Sequence, residues 1–223
     1  MKILAFDTAT EYCSAALWLD GNWLERSVLA GQSHSQLLLP QCQSLLAEAG
    51  VDLVALDGIA FGMGPGSFTG LRIACAVAQG LAYAADLPVI GINSLQAMAA
   101  DSGGDKVLVC LDARMGEVYY AVYARENEEW VELRPAAVCK PAEVPSLDGD
   151  GWTGCGSGFA TYAEVLLPRF GAALNAVAEI RYPSARRIAM LAAGQFAQGK
   201  GYAAELAAPL YVRNKVALKI CER

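Results

Sequence analysis

One histidine, His34, stands in 223 residues, and charged residues make up only 18% of the chain. A zinc site built on paired histidines is therefore excluded. With 55% hydrophobic residues, so little charge also rules out disorder for the bulk of the chain. No G-X-Y period and no long charged heptad run occurs, which excludes collagen-like and coiled-coil fibres. Every long apolar stretch is interrupted by charge or turn residues, so no membrane-spanning helix is expected. Asp7 and Glu11 break the N-terminal apolar run, and no secretory leader is expected either. The seven cysteines are isolated and form no C-x-x-C. They read as reduced, mostly buried residues of a cytoplasmic protein.

What the chain has in plenty is alanine, 40 residues of it. Small side chains let helices pack closely, and apolar composition beyond the needs of a core points to an oligomer interface. The formal net charge is −6, unevenly spread. Residues 1–100 carry −5, residues 101–180 carry −7 and residues 181–223 carry +6. The basic end suits an acidic partner or a phosphate backbone, or is a solvated surface with no partner.

Apolar runs at 2–7, 13–19 and 23–29 predict three strands, the last two joined by a tight turn at Asp20-Gly21-Asn22. A helix follows, capped by Ser33 or Ser35 and ending before Gly50, with Pro40 predicting a kink or late start. A strand at 57–61, a helix at 69–85, a strand at 88–92 and a short helix from Asn93 complete this half. Residues 106–112 then repeat the opening, lysine through apolar run to aspartate. Strands at 117–124, 130–133 and near 152–155 are expected, with helices from about Phe159 and over 184–198. The pattern is α/β, two βββαβα-type halves, divided as 1–100 and 101–223.

The most distinctive stretch is Phe61-Gly62-Met63-Gly64-Pro65-Gly66-Ser67-Phe68-Thr69-Gly70-Leu71-Arg72-Ile73. Its alternating glycines let the backbone turn where a Cβ would clash, and Ser67 or Thr69 can cap the helix that follows. It lacks the G-K-[ST] of a Walker loop and the spacing of a dinucleotide fingerprint. Pro65 two residues before Ser67 argues against a nucleophile elbow.

This stretch resembles the signature of the TsaB (YeaZ) family. So do ILAFDTAT at the start, Asp112-Ala113-Arg114 with Glu117-Val118-Tyr119-Tyr120, and Pro209-Leu210-Tyr211-Val212-Arg213 at the end. The resemblance spans the chain. It implies a duplicated actin/hexokinase/Hsp70-like (ASKHA) fold. It implies a part in making threonylcarbamoyladenosine in tRNAs that read ANN codons. In that family the transferase is a paralogue, TsaD, and TsaE is an ATPase partner; the chain then resembles a degenerate copy that binds and activates TsaD. The catalytic paralogue carries a histidine pair four apart on the helix after the strand equivalent to PVIGI. Here Ser94 and Met98 hold those positions, so no catalytic residue and no metal are expected. tRNA would be met only through the complex, and no membrane is involved.

Nucleotide binding stays open. Asp7, Thr8 and Thr10 keep the shape of a first phosphate loop. The second, from Asp112 through Gly116, has bulk where glycine belongs, and Gly154 and Gly156 resemble a remnant of the adenosine loop. Either these are turns inherited from the fold, or they hold ATP or ADP weakly. For the partner contact, Leu38, Cys42 and Leu45 on the first helix and Ala74, Ala78, Leu81 and Ala82 on the second are the candidates. Without TsaD the same surface would pair two copies of the chain. Gly64, Gly66, Ser67, Thr69, Gly70 and Arg72 are read as structural. His34 reads as a cap or surface residue, and Arg114 and Glu117 as an ion pair. Two rivals remain, an active sugar-kinase-like ATPase of the same fold and, from Ser67 and the cysteines, a peptidase.

Overall fold

The structure is a computed structural model that describes residues 1–127, 129–180 and 182–213. Its first half runs β1 (Lys2–Asp7), β2 (Tyr12–Leu19), β3 (Asn22–Leu29), α1 (His34–Ala49), β4 (Gly58–Gly64), α2 (Phe68–Ala85), β5 (Val89–Asn93) and α3 (Ser94–Asp101). The second runs β6 (Lys106–Asp112), β7 (Val118–Glu126), β8 (Glu129–Cys139), β9 (Trp152–Cys155), α4 (Ser157–Thr161), α5 (Ala163–Phe170), β10 (Leu174–Val177) and α6 (Ala185–Ala197).

Each half builds one five-stranded sheet, ordered β3-β2-β1-β4-β5 and β8-β7-β6-β9-β10. In each, three antiparallel strands come first and two parallel strands follow across the first. The topologies coincide, so the duplicated ASKHA architecture holds. β1 is buried from Ile3 to Asp7 because strands β2 and β4 flank it and helices cover both faces.

Four expectations need correction. α1 runs through Pro40 without a break from His34 to Ala49. Pro40 is solvent-exposed, so water can take the carbonyl left without its N–H partner. Ser33 is the N-cap residue, but its side chain makes no capping bond. β8 continues through Pro135 to Cys139, which an edge strand with register shifts tolerates. The helix expected from Phe159 is two short helices broken at Tyr162, and β10 had no predicted counterpart.

The boundary near residue 100 separates the two sheets but not the two cores. α6 crosses back onto the first sheet, where Ile188, Ala189 and Ala192 pack with Ile3, Ala5, Ala60, Ile90 and Ile92. In return, Leu95, Met98 and Ala99 of α3 pack on the second sheet with Val107, Val109 and Tyr123.

α2 is long and apolar enough to span a membrane by length and composition, where no such helix was expected. Its stripe Leu71, Ala74, Ala78 and Ala82 is packed into the first sheet, as in the core helix of a globular domain. Of the cysteines, Cys13, Cys42, Cys75, Cys110 and Cys155 are buried and free, and Cys139 is half-buried. Cys221 lies outside the described residues.

Candidate functional site

The glycine-rich signature sits on the end of β1. An added Cβ at Gly66 would stand 2.3 Å from the Ala9 carbonyl oxygen, and one at Gly70 would stand 1.8 Å from that of Thr8. Neither glycine needs a left-handed φ; both are required by close approach of two backbones. Gly64 does take φ +109, at the turn out of β4. Two hydrogen bonds fix the approach: Ser67 N to Ala9 O at 2.7 Å, and Thr8 Oγ1 to Gly70 O at 2.7 Å. Ser67 caps α2, accepting from Gly70 N, while Thr69 is exposed. The Arg72 guanidinium lies 3.8 Å over the Phe68 ring.

Between the halves lies a cavity of about 750 Å³. Thr10, Glu11, Ser67 and Thr69 line one wall, and Asp112, Arg114, Ser157 and Tyr182 the other. Among the six residues weighed for nucleotide, only Thr10 and Asp112 reach the lining. Asp7 and Thr8 lie beneath it, fully buried. Gly154 of β9 packs on the Phe159 ring and Gly156 on the Cys110 carbonyl of β6, so both seat α4 on the second sheet instead of lining the cleft.

The loop after β6 carries bulky side chains on a left-handed backbone. Arg114, Met115 and Gly116 all take left-handed φ, +60, +57 and +74. Holding the two non-glycine residues there costs about 1–3 kcal/mol each. The Arg114 guanidinium then stands between two carboxylates, 3.4 Å from Asp112 and 3.7 Å from Glu11. Asp112 also accepts from Arg114 N at 2.9 Å and from the Tyr162 hydroxyl at 3.1 Å. So Arg114 does not pair with Glu117 as the sequence suggested; Glu117 pairs with Arg213. The physical reason is the left-handed turn, which aims Arg114 across the cleft.

The two α3 positions weighed as metal ligands are committed to packing. Ser94 is fully buried and donates from Oγ to Asp7 Oδ2 at 2.8 Å; Met98 is fully buried in the second core. Asp7 Oδ1 accepts from Ala9 N at 2.8 Å. Burial pushes the Asp7 carboxyl up from its ordinary 3.8 to about 6, although both hydrogen bonds favour the charged form. The folded chain thus keeps a proton there that the unfolded chain has lost. That stabilisation is complete below pH 3.8 and is lost as pH rises to about 6. Asp7→Asn, which can keep both hydrogen bonds, is expected to abolish this fall and to add about 2–3 kcal/mol near neutral pH. Urea unfolding across that window checks it; a parent-like pH slope in the variant would assign the fall to another group.

His34 is not at the surface. It begins α1, is 6% exposed, and its Nε2 has no hydrogen-bond partner among the described residues. Tyr119 and Tyr123 point into one core and Tyr120 into the opposite one, as strand alternation predicts.

The residues expected at a partner contact are mostly inside. Leu38, Cys42, Leu45, Ala74, Ala78 and Ala82 are buried in the chain's own first core, and only Leu81 is half-buried. The small-residue ridge faces the sheet, because it lets α2 lie close to β4. What α2 turns outward is Arg72, Ala76, Gly80, Tyr83 and Ala84, with Tyr83 83% exposed. Leu39 and Pro40 are exposed on the neighbouring α1.

Sequence reasoning missed the contacts that join the walls. The Tyr182 hydroxyl donates to Glu11 at 2.7 Å, 171 residues away, and no local pattern signals such a pair. The Tyr12 and Tyr182 rings also meet, 4.7 Å between centroids.

Residues 28–218 match the family model described as TsaD, tRNA N6-adenosine threonylcarbamoyltransferase. An Escherichia coli relative, "tRNA threonylcarbamoyladenosine biosynthesis protein TsaB", is 42% identical over 98% of this chain and 97% of its own length. A Haemophilus influenzae relative with the same description is 36% identical over 98% of this chain and 96% of its own. The solved structure "YeaZ from Pseudomonas aeruginosa" superposes with a TM-score of 0.86 at 40% identity, covering 94% of this chain and 99% of its own. With the signature on β1, the duplicated sheets and these end-to-end matches, the chain belongs to the TsaB (YeaZ) family.

Proposed function

We propose that this chain is a non-catalytic subunit for threonylcarbamoyladenosine modification of tRNA in the cytoplasm. It docks on the TsaD paralogue through the outer face of α2 and its neighbour α1, works with TsaE, and meets tRNA only within the complex. The observation that carries this reading is the outer surface of α2: Ala76, Gly80 and Ala84, small enough for a second helix to approach, beside the exposed Tyr83 ring. A non-catalytic role is supported by Ser94 and Met98, whose side chains are spent on Asp7 and on the core.

Gly80→Arg tests it. Nothing lies within 4 Å of a Cβ built at Gly80, and its φ is ordinary for a helix. Arginine in place of mid-helix glycine favours the helix by about 1 kcal/mol, so the melting temperature should hold or rise. A charge buried without a partner in a helix–helix contact should weaken TsaD binding, and self-pairing, by about a thousandfold or more. Co-purification with TsaD and a threonylcarbamoylation assay omitting each component read the result. A stable Gly80→Arg chain that binds and supports modification normally would remove α2 from the contact. Weak ATP or ADP binding is the second reading, favoured by the cavity and by the glycine-like backbone retained at 114–116; calorimetric titration of the chain alone decides it.

A further inference from the structure

Residues 207–213 belong to neither sheet, yet they touch both halves. On the first half, the Ala207 carbonyl accepts from the Gln79 amide at 3.0 Å, and Leu210 N donates to Met63 O at 2.7 Å. The Tyr211 ring packs on Phe68, centroids 5.4 Å apart, and its hydroxyl accepts from Arg72 Nε at 3.0 Å. Val212 then packs, half-buried, against the second core. The Arg213 guanidinium pairs with Glu117 and lies 5.6 Å from the Tyr119 ring centre.

We infer that this segment is a strap that sets the angle between the two halves and gates the cleft. Leu210 through Arg213 line the cavity, so its walls cannot separate unless the strap leaves one of them. The other ties across the mouth are few among the described residues. Glu11 accepts from Tyr182 and faces Arg114 at 3.7 Å, and Arg114 is 73% exposed, where screening leaves an ion pair little strength. The strap's two ends are not equally held. On the first half it has backbone and side-chain hydrogen bonds to β4 and α2. On the second it has the packing of Val212 and the ion pair of Arg213, whose Nε is buried with no hydrogen-bond partner among the described residues. A buried donor left unmade lowers the cost of unseating that end. Arg213 is therefore the catch, and Tyr211 the hinge-side anchor. This inference does not depend on the docking reading.

Residual dipolar couplings on the full chain test it, since they report the relative orientation of the two sheets. In the parent, amides of β1, β2 and β4 and those of β6, β7 and β9 should fit one alignment tensor. Arg213→Gln removes the charge and shortens the side chain while leaving it polar. It should lose the common tensor, each sheet fitting its own, while couplings within each sheet stay unchanged. Tyr211→Phe removes only the hydrogen bond to Arg72 and should shift the fit in the same direction by less. A common tensor kept by a folded Arg213→Gln chain, or already lost in the parent, would overturn the strap. Should Arg213→Gln fail to fold, Tyr211→Phe carries the test: an unshifted fit refutes the strap, and a shifted one supports it.

Discussion

Ala78→Arg is expected to melt far below the parent chain. Ala78 is fully buried on the inner stripe of α2, in a core with Leu4, Phe6, Leu17, Leu45 and Phe61. Its neighbours there are hydrocarbon, and they offer a guanidinium no partner. Removing a charge from water with no compensating pair costs about 3–5 kcal/mol. Total stability of a folded domain is only about 5–15 kcal/mol. At about 2–4 °C per kcal/mol for a chain of this size, the melting temperature should fall by about 6–20 °C. The arginine stem can thread toward the surface, which softens the loss but leaves the packing disrupted. Gly80 lies two residues further along and on the opposite face, so Gly80→Arg should melt like the parent. Thermal melting of the two variants side by side separates core from surface on one helix. Should Ala78→Arg melt normally, the inward face of α2 has been assigned to the wrong residues.

Gly66→Val is expected to be the second most damaging change. Its Cβ would lie 2.3 Å from the Ala9 carbonyl oxygen and 2.7 Å from the Ala9 Cβ. That oxygen already accepts from Ser67 N at 2.7 Å, so the backbone cannot retreat without breaking the bond that seats α2 on β1. The cost comes from the contact and not from a strained φ, since Gly66 does not take a left-handed one. Overpacking of this kind costs about 3 kcal/mol, which lowers the melting temperature by about 6–12 °C. Gly80→Ala, with open space around it, is the control and should be neutral or stabilising. A Gly66→Val chain with parent melting and parent partner binding would show that the two backbones do not approach as described.

Some of this molecule is written in short stretches of chain. β1 is a run of apolar residues ending in aspartate, and the Asp20-Gly21 turn between β2 and β3 is set by residues that accept positive φ, +49 and +96. Ser67 caps α2 because serine three residues before a free N–H suffices for the bond. The repeated lysine-to-aspartate run foretold two like halves because each local pattern builds its own sheet. The long glycine signature carried the family for the same reason: Gly66 and Gly70 are demanded by one nearby backbone and Gly64 by its positive φ.

Other features depend on which surfaces meet, and a single chain pattern does not say. Ala74, Ala78 and Ala82 form a stripe of the right spacing, but a small-residue stripe fits a sheet as well as a partner helix; only packing assigned it to β4. β10 has four residues, mostly exposed at a sheet edge, so no alternation marks it. α3 and α6 exchange sheets because each has a second apolar face to bury, and which sheet receives it is a matter of three-dimensional fit. Arg114 answers Glu11 and Asp112, and Arg213 answers Glu117, across 103, 2 and 96 positions of chain. Charge pairing acts through space within a few ångströms, so the sequence determined the elements and their turns, while the tertiary structure decided which of their faces were left for solvent, cleft or partner.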